Sequence, residues 1–268
     1  MTFLFAFSCV LTAFTPASAI FLQVVAKDPL RVILCALGAF FWLVALLITS
    51  LVWLVFANTL LPTIFISALL QETARSVYYF LLHKAQGGLA KLASNGVGVS
   101  GMRLLHSSRH ILALVCGLGM GVMAAIFLLL NIIADSSRDG VVGLPASVPE
   151  ISKAMPLRLS FDDASFPVFY SLSCCFLILD NICWTIALWD GLHKRINRLT
   201  AQWWPSCVFC VVSHLLNSTV TYFLSEYNVA VVAAQALLLL ANCVFCWAII
   251  QNRIFASNIA AISHASPL

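Results

Sequence analysis

The hydrophobic and polar positions of this chain separate into long segments instead of alternating residue by residue. An α-helix needs about 20 apolar residues to cross the hydrocarbon core of a bilayer. The pattern predicts an all-α membrane protein with seven transmembrane helices, which form one polytopic domain over residues 1–268. The predicted spans run approximately over 2–26, 32–57, 59–82, 111–133, 167–189, 203–224 and 229–250.

Composition supports the assignment to a membrane protein, and the continuity of the apolar stretches favours helices over a β-barrel. The chain is 62% hydrophobic and 9% charged, whereas about 25% of the residues of a soluble domain are charged. The apolar stretches are continuous, which excludes the alternating pattern of a membrane β-barrel. The third stretch is the weakest, because Gln71, Glu72 and Arg75 interrupt it.

The basic residues predict an orientation. If the N-terminus lies on the lumenal or extracellular side, ten Lys and Arg fall on cytoplasmic connections and three on the outer connection 134–166. This asymmetry follows the positive-inside rule and places the C-terminus in the cytoplasm. Ala17-Ser18-Ala19 resembles a signal-peptidase site, but no Lys or Arg precedes the apolar run, so we expect the first helix to be retained. The Gly- and Ser-rich segment 85–101 is expected to be a flexible cytoplasmic connection.

Three small residues are spaced four apart in the fourth predicted span. Gly117, Gly121 and Ala125 therefore lie on one face of the helix. Glycine inside a helix costs about 1 kcal/mol relative to alanine, so its use here needs a compensating gain. Small residues let two membrane helices approach at backbone distance. We interpret this stripe as a helix-packing and assembly surface.

Polar residues fall near one depth on four predicted spans. Ionisable groups inside a bilayer are costly and usually face protein or a water-filled cavity. Two interpretations remain open, namely a set of interhelical hydrogen bonds and a polar cavity that receives a ligand or partner. Asp180 and His214 are a possible hydrogen-bonded pair, with Glu72 as the competing partner of His214. The layer comprises Glu72, Asp180, Asn181 and His214, flanked by Gln235 and Asn242.

No motif for catalysis or for a cofactor is found. Neither G-x-S-x-G nor H-E-x-x-H occurs, and Met120 stands where G-x-G-D would need an aspartate after Gly119. Segment 85–101 lacks a phosphate-loop ending, and the net charge of +4 does not indicate nucleic-acid binding. The ten cysteines all lie in apolar runs, so neither a disulfide framework nor a metal is predicted. Two C-x-x-C pairs, 207/210 and 243/246, are interpreted as packing residues.

Several short motifs, in order along the chain, resemble one known family. They are "DPLRVI" (28–33), "FFWLV" (40–44), "LLQE" (69–72), "NIIAD" (131–135), "GVVG" (140–143) and "SHLL" (213–216). Together with the small-residue stripe, they resemble the anterior pharynx-defective subunit of γ-secretase, closely over about residues 1–225 and loosely beyond. One position departs from that family, which has a histidine three residues before a Trp in its fifth helix, where this chain has Asn181 before Trp184.

The resemblance implies a non-catalytic scaffold subunit. Its partners would be presenilin, which carries the catalytic aspartates, nicastrin and the presenilin enhancer, besides membrane lipid. The complex would cut single-span membrane proteins within the bilayer, Notch-type receptors included. The expected location is the endoplasmic reticulum, Golgi and plasma membrane.

The alternative is a seven-helix receptor or a small transporter. The third predicted helix lacks an Asp/Glu-Arg-Tyr ending, and the seventh lacks Asn-Pro-x-x-Tyr. No internal repeat of the kind that many transporters contain is found. The sequence therefore favours the scaffold.

Overall fold

The structure is a computed structural model that describes residues 3–56, 60–94, 109–137, 166–199, 202–224 and 227–265. These ranges form seven helices and no strand. α1 is Phe3–Ile20, extended by a π-helical turn Phe21–Val25. The others are α2 (Pro29–Phe56), α3 (Leu60–Ser94), α4 (Arg109–Ser137), α5 (Phe166–Ile196), α6 (Trp204–Phe223) and α7 (Asn228–Ala265).

Six of these seven helices are long and apolar enough to cross a membrane, and the chain is a multi-pass membrane protein. α3 is the exception by composition, because Gln71, Glu72 and Arg75 lie within it. It nevertheless packs into the bundle against α2, α5 and α6. The charged residues of α3 are therefore accommodated by protein contacts, which hydropathy does not register.

The expectation of a flexible connection over 85–101 was wrong for residues 85–94, because α3 continues to Ser94. Residues 95–101 lie outside the described ranges. Extending an existing helix requires no new nucleus. Ala, Leu, Gln and Lys, which favour helix, outnumber the two adjacent glycines, Gly87 and Gly88.

α4 and α5 form the centre of the bundle. In their apolar stretches 61% and 78% of the residues are buried, compared with 22–33% in the other four candidate spans, those of α1, α2, α6 and α7. α2 and α1 cover α4, while α1, α6 and α7 cover α5. Side-chain hydrogen bonds to backbone carbonyls tie neighbours together, from Tyr78 to Leu34 (2.8 Å) and from Tyr170 to Leu128 (3.2 Å).

α2 and α4 meet at two reciprocal glycines. A Cβ on Gly38 would lie 2.5 Å from the Cys116 carbonyl oxygen, and a Cβ on Gly119 would collide with the carbonyl of Cys35. Real side chains do not tolerate such contacts with backbone atoms. Gly119, which stands outside the predicted stripe, is therefore used for a second close contact on the opposite side of α4.

Candidate functional site

The small-residue stripe of α4 lies against α5 of the same chain. A Cβ on Gly117 would lie 2.8 Å from the Cα of Ile182, and a Cβ on Gly121 would lie 2.8 Å from the Cα of Ile178. Ala125, the third member, is fully buried. The backbones of α4 and α5 thus touch along the stripe, and this contact fixes the position of the polar residues on α5.

Glu72 on α3 is the centre of a first buried network. Its carboxylate forms an ion pair with Arg75 and lies 2.6 Å from Nδ1 of His214 on α6. Its second oxygen accepts a hydrogen bond from the Cys210 thiol at 3.1 Å. Arg75, which is completely buried, also donates from Nη2 to Oδ1 of Asn181 on α5 at 2.7 Å. The charge of Glu72 is therefore balanced within its own helix, and the pair is held by α5 and α6.

Asp180, one residue before Asn181, belongs to a second network. Asn242 on α7 donates to its Oδ1 at 2.7 Å, and Asn217 on α6 donates to its Oδ2 at 3.5 Å. The Ser213 hydroxyl donates to Asn242 Oδ1 at 2.6 Å and accepts from the Trp184 indole at 3.1 Å. This network connects α5, α6 and α7.

Trp184 joins the two networks. Its ring stacks on the His214 imidazole, with centroids 4.2 Å apart and planes 15° from parallel. The Arg75 guanidinium lies 5.7 Å from the centroid of the same ring, within the range of a cation–π interaction. Four helices, α3, α5, α6 and α7, are therefore connected by one continuous set of buried polar contacts.

The predicted pairing of Asp180 with His214 was wrong, and the competing partner, Glu72, is the one that His214 contacts. Successive residues of a helix point about 100° apart. Asp180 consequently faces α6 and α7, whereas Asn181 faces α3. Depth along the span is not sufficient to predict which side chains pair, because the rotation of each helix about its axis decides which groups meet.

Other members of the networks were not identified from the sequence. Hydropathy marks Arg75 only as an interruption of the third span, although it stands three residues after Glu72, a spacing at which charged side chains meet on a helix. That spacing was a usable signal. Ser213, Cys210 and Asn217 gave no comparable signal, since small polar residues also occur singly in membrane helices.

A cavity of about 430 Å³ lies beside the two networks. Residues of α2 to α7 line this partly open cavity, with His214 and Asn217 on its wall. The interhelical hydrogen bonds of the first interpretation are present in both networks. Asn181 and His214 also line the cavity, and the interpretation that it receives a ligand or partner stays a prediction. Its other polar lining residues are Thr49, Ser50, Thr63, Ser67, Gln71, Asn181, Trp184, Ser218, Thr221 and Gln235.

The cysteines are all free thiols. Cys210 donates to Glu72, while Cys246 donates to the carbonyl of Cys183 on α5 at 3.4 Å. The two C-x-x-C pairs therefore contact different groups. Within the described ranges, no group of three or more His, Cys, Asp or Glu could hold a metal ion.

Comparisons with known proteins show which family the chain belongs to. The model of the Aph-1 protein family matches residues 4–253. The chain belongs to the Aph-1 family. It is similar to the γ-secretase subunit aph-1 of Caenorhabditis elegans, at 40% identity over 92% of this chain and 80% of the relative. It is also similar to the human γ-secretase subunit APH-1B, at 33% identity over 87% and 84% of the two chains.

At position 181 this chain has Asn, where the family that it resembles has a histidine. In the structure Asn181 contacts Arg75. Its Oδ1 accepts the hydrogen bond from Arg75. A neutral imidazole also offers one acceptor nitrogen, so Asn and His can both satisfy the guanidinium. The departure is therefore compatible with the same network.

The His214 contact gives a prediction on coupling. His214→Phe, which keeps a ring to stack on Trp184, and Glu72→Gln are expected to show a coupling energy within the range of about 0.5–3 kcal/mol found for contacting residues. His214→Phe and Asp180→Asn are expected to be closer to additive, since these two side chains have different hydrogen-bond partners. The free energy of unfolding, from SDS titration in mixed micelles, is the measurement. A larger coupling for the Asp180 pair would contradict the assignment.

Proposed function

We propose that this protein is a non-catalytic scaffold subunit of a γ-secretase complex, an intramembrane protease. The match to the Aph-1 family over residues 4–253 carries the proposal. The relatives that it resembles are named γ-secretase subunits. Presenilin, with the catalytic aspartates, nicastrin and the presenilin enhancer are the proposed partners.

The environments of Glu72 and Asp180, the carboxylates of the two buried networks, support a structural role. An aspartyl protease needs two carboxyl groups close enough to share a proton, about 3 Å apart. Glu72 is bound by Arg75, His214 and Cys210, whereas Asp180 is bound by side chains of α6 and α7. These two carboxylates have separate partners, and each connects helices of the bundle.

We further propose that the complex resides in the endoplasmic reticulum, Golgi and plasma membrane, and cleaves single-span membrane proteins such as Notch-type receptors. In this role the network would hold α3, α5, α6 and α7 in fixed positions, so that partner helices meet a constant surface. The stripe on α4 would serve assembly indirectly, because it sets the position of α5.

Purification of the tagged full chain in mild detergent tests the proposal. A scaffold subunit is expected to co-purify in a stable complex with presenilin, nicastrin and the presenilin enhancer, and that complex should cleave a single-span substrate. Asp180→Asn, if the complex assembles, should leave cleavage unchanged. A chain that purifies alone would favour the receptor or transporter, and an assembled but inactive Asp180→Asn complex would indicate a catalytic role.

Orientation gives a separate prediction. An engineered glycosylation sequon within 144–158 is expected to be glycosylated, and one within 86–100 is not, because ten Lys and Arg fall on the connections assigned to the cytoplasm and three on the outer one. A gel shift removed by glycosidase is the measurement. Glycosylation of the 86–100 site alone would reverse the proposed orientation.

A further inference from the structure

A second cavity, of about 200 Å³, lies between the C-terminal half of α3, the C-terminal part of α5 and the start of α4. It contacts none of the residues of the two buried networks. Its volume is below the roughly 300 Å³ at which pockets for drug-sized ligands begin, so it suits a small group. We call it the basic cavity, lined by Tyr79, Leu82, His83, Gln86, Arg109, Leu112, Trp189 and His193.

The polar lining of the basic cavity is rich in hydrogen-bond donors. Tyr79, His83 and Gln86 lie on one face of α3, and the His83 ring is stacked parallel to the Tyr79 ring, with centroids 5.9 Å apart. Nδ1 of His193 lies 3.3 Å from the Tyr79 hydroxyl, and the Asn197 amide nitrogen lies 2.9 and 3.0 Å from the two His193 ring nitrogens. Tyr79 and His193 are therefore already partnered. His83 has at least one N–H donor, which can donate to a bound group from the α3 side of the cavity.

Arg109, the first residue of α4, supplies a permanent positive charge. Its Nη1 is buried, and among the residues that the structure describes it has no hydrogen-bond partner. A buried donor without a partner is costly, more so when it is charged. The N-terminus of a helix also favours negative charge, because its first N–H groups have no partner in the helix. Both features favour an anion in the basic cavity.

The carboxylate beside this site does not fill the role of that anion. Asp190 adjoins Arg109 at the edge of a small neighbouring space, but Lys194 forms an ion pair with it at 2.5 Å. The Ser206 hydroxyl also donates to Asp190, at 3.3 Å. Lys194 compensates the charge of Asp190, which also attracts Arg109 electrostatically. No hydrogen bond joins Asp190 to the Arg109 Nη1, which remains available.

We propose that the basic cavity binds a phosphate group, supplied by a phospholipid headgroup or by free phosphate. A guanidinium binds phosphate oxygens with two parallel hydrogen bonds, and the His83 N–H can donate to another oxygen. The cavity lies at the end of the bundle where α3 and α5 carry Lys84, Lys194 and Arg195. Such basic ends attract anionic headgroups.

Native mass spectrometry of the purified full chain tests the lipid source. The chain is mixed with phosphatidic acid and with diacylglycerol of the same acyl chains, two lipids that differ only in the phosphate. The wild type is expected to retain phosphatidic acid at least about tenfold more than diacylglycerol, and Arg109→Gln should remove that preference. Arg195→Gln is the matched control, because Arg195 stacks on Trp203 at the same end and does not line the basic cavity.

A second experiment, with inorganic phosphate, tests whether soluble phosphate is the ligand. If soluble phosphate is the ligand, it should raise the unfolding midpoint of the delipidated wild type and of Arg195→Gln, but not of Arg109→Gln. Retention of phosphatidic acid without an effect of phosphate assigns the lipid source, and the converse assigns the soluble one. The proposal is overturned if the wild type binds neither phosphatidic acid nor phosphate. It is also overturned if Arg195→Gln loses as much binding as Arg109→Gln, or if Arg109→Gln binds as well as the wild type.

A second variant keeps the test decisive if Arg109→Gln fails to fold. His83→Phe preserves an aromatic ring against Tyr79 and removes the ring nitrogens from the cavity. We expect a monodisperse protein with a weaker preference for the phosphate-bearing ligand, by about threefold or more. A preference equal to that of the wild type would overturn the proposed donor set.

Discussion

Replacing Gly121 by Leu is expected to reduce the yield of assembled complex more than about tenfold while leaving membrane insertion intact. The Cβ alone would lie 2.8 Å from the Cα and 2.9 Å from the carbonyl oxygen of Ile178. These are backbone atoms of α5, which cannot rotate away as a side chain can. Overpacking a core typically costs about 1–3 kcal/mol, and a cost of 1.4 kcal/mol is a tenfold change in an equilibrium constant.

Gly87→Leu is the matched control for that variant. Gly87 is also a helix glycine, but a Cβ there would have no atom within 4 Å. We expect it to insert and assemble like the wild type on a native gel. Normal assembly of Gly121→Leu would show that the contact between α4 and α5 tolerates separation, and would remove the stripe from the assembly argument.

The second large effect is expected for Arg75→Met. This change removes the cation beside Glu72 and leaves a buried carboxylate with His214 and Cys210 as its remaining partners. Breaking a buried ion pair by deleting one partner typically costs about 3–5 kcal/mol. The measurement is the free energy of unfolding in mixed micelles, together with the yield of complex.

Two further variants identify the cause of that loss. Glu72→Gln combined with Arg75→Met removes both charges, and we expect it to be less destabilising than Arg75→Met alone. Arg31→Met removes a partly exposed pair with Asp28, 3.9 Å apart, and such pairs typically contribute about 0–1 kcal/mol. If the double variant were the worse of the two, the uncompensated charge of Glu72 would not be the cause.

The contacts of α4 with its neighbouring helices show what a spacing pattern can predict and what it cannot. Gly117, Gly121 and Ala125 share a face by helix geometry alone, which the sequence shows. The stripe does not say which helix it contacts, because any helix can approach a surface that lacks side chains. Gly119 lies outside the stripe, yet it makes the contact with Cys35 on α2. Two helices are packed against α4 from different sides, and only the assembled bundle shows it.

The polar residues of α3 show a limitation of hydropathy, which cannot register contacts with other helices. Hydropathy identified Gln71, Glu72 and Arg75 as interruptions of a span, which is correct for a helix in lipid. In the bundle, Arg75 is fully buried and engaged by Glu72 and Asn181. A charge that lipid would reject is retained because Glu72 on α3 and Asn181 on α5 accept hydrogen bonds from Nη1 and Nη2 of Arg75.

The sequence by itself determined that the chain is a helical multi-pass membrane protein of this family, since segment length, apolarity and ordered motifs are local properties. It also indicated that polar groups on several helices share a depth. Only the tertiary structure decided that His214 contacts Glu72 and that Asp180 contacts Asn242. The physical reason is that a hydrogen bond needs two atoms about 3 Å apart, and the rotation and tilt of the helices set that distance.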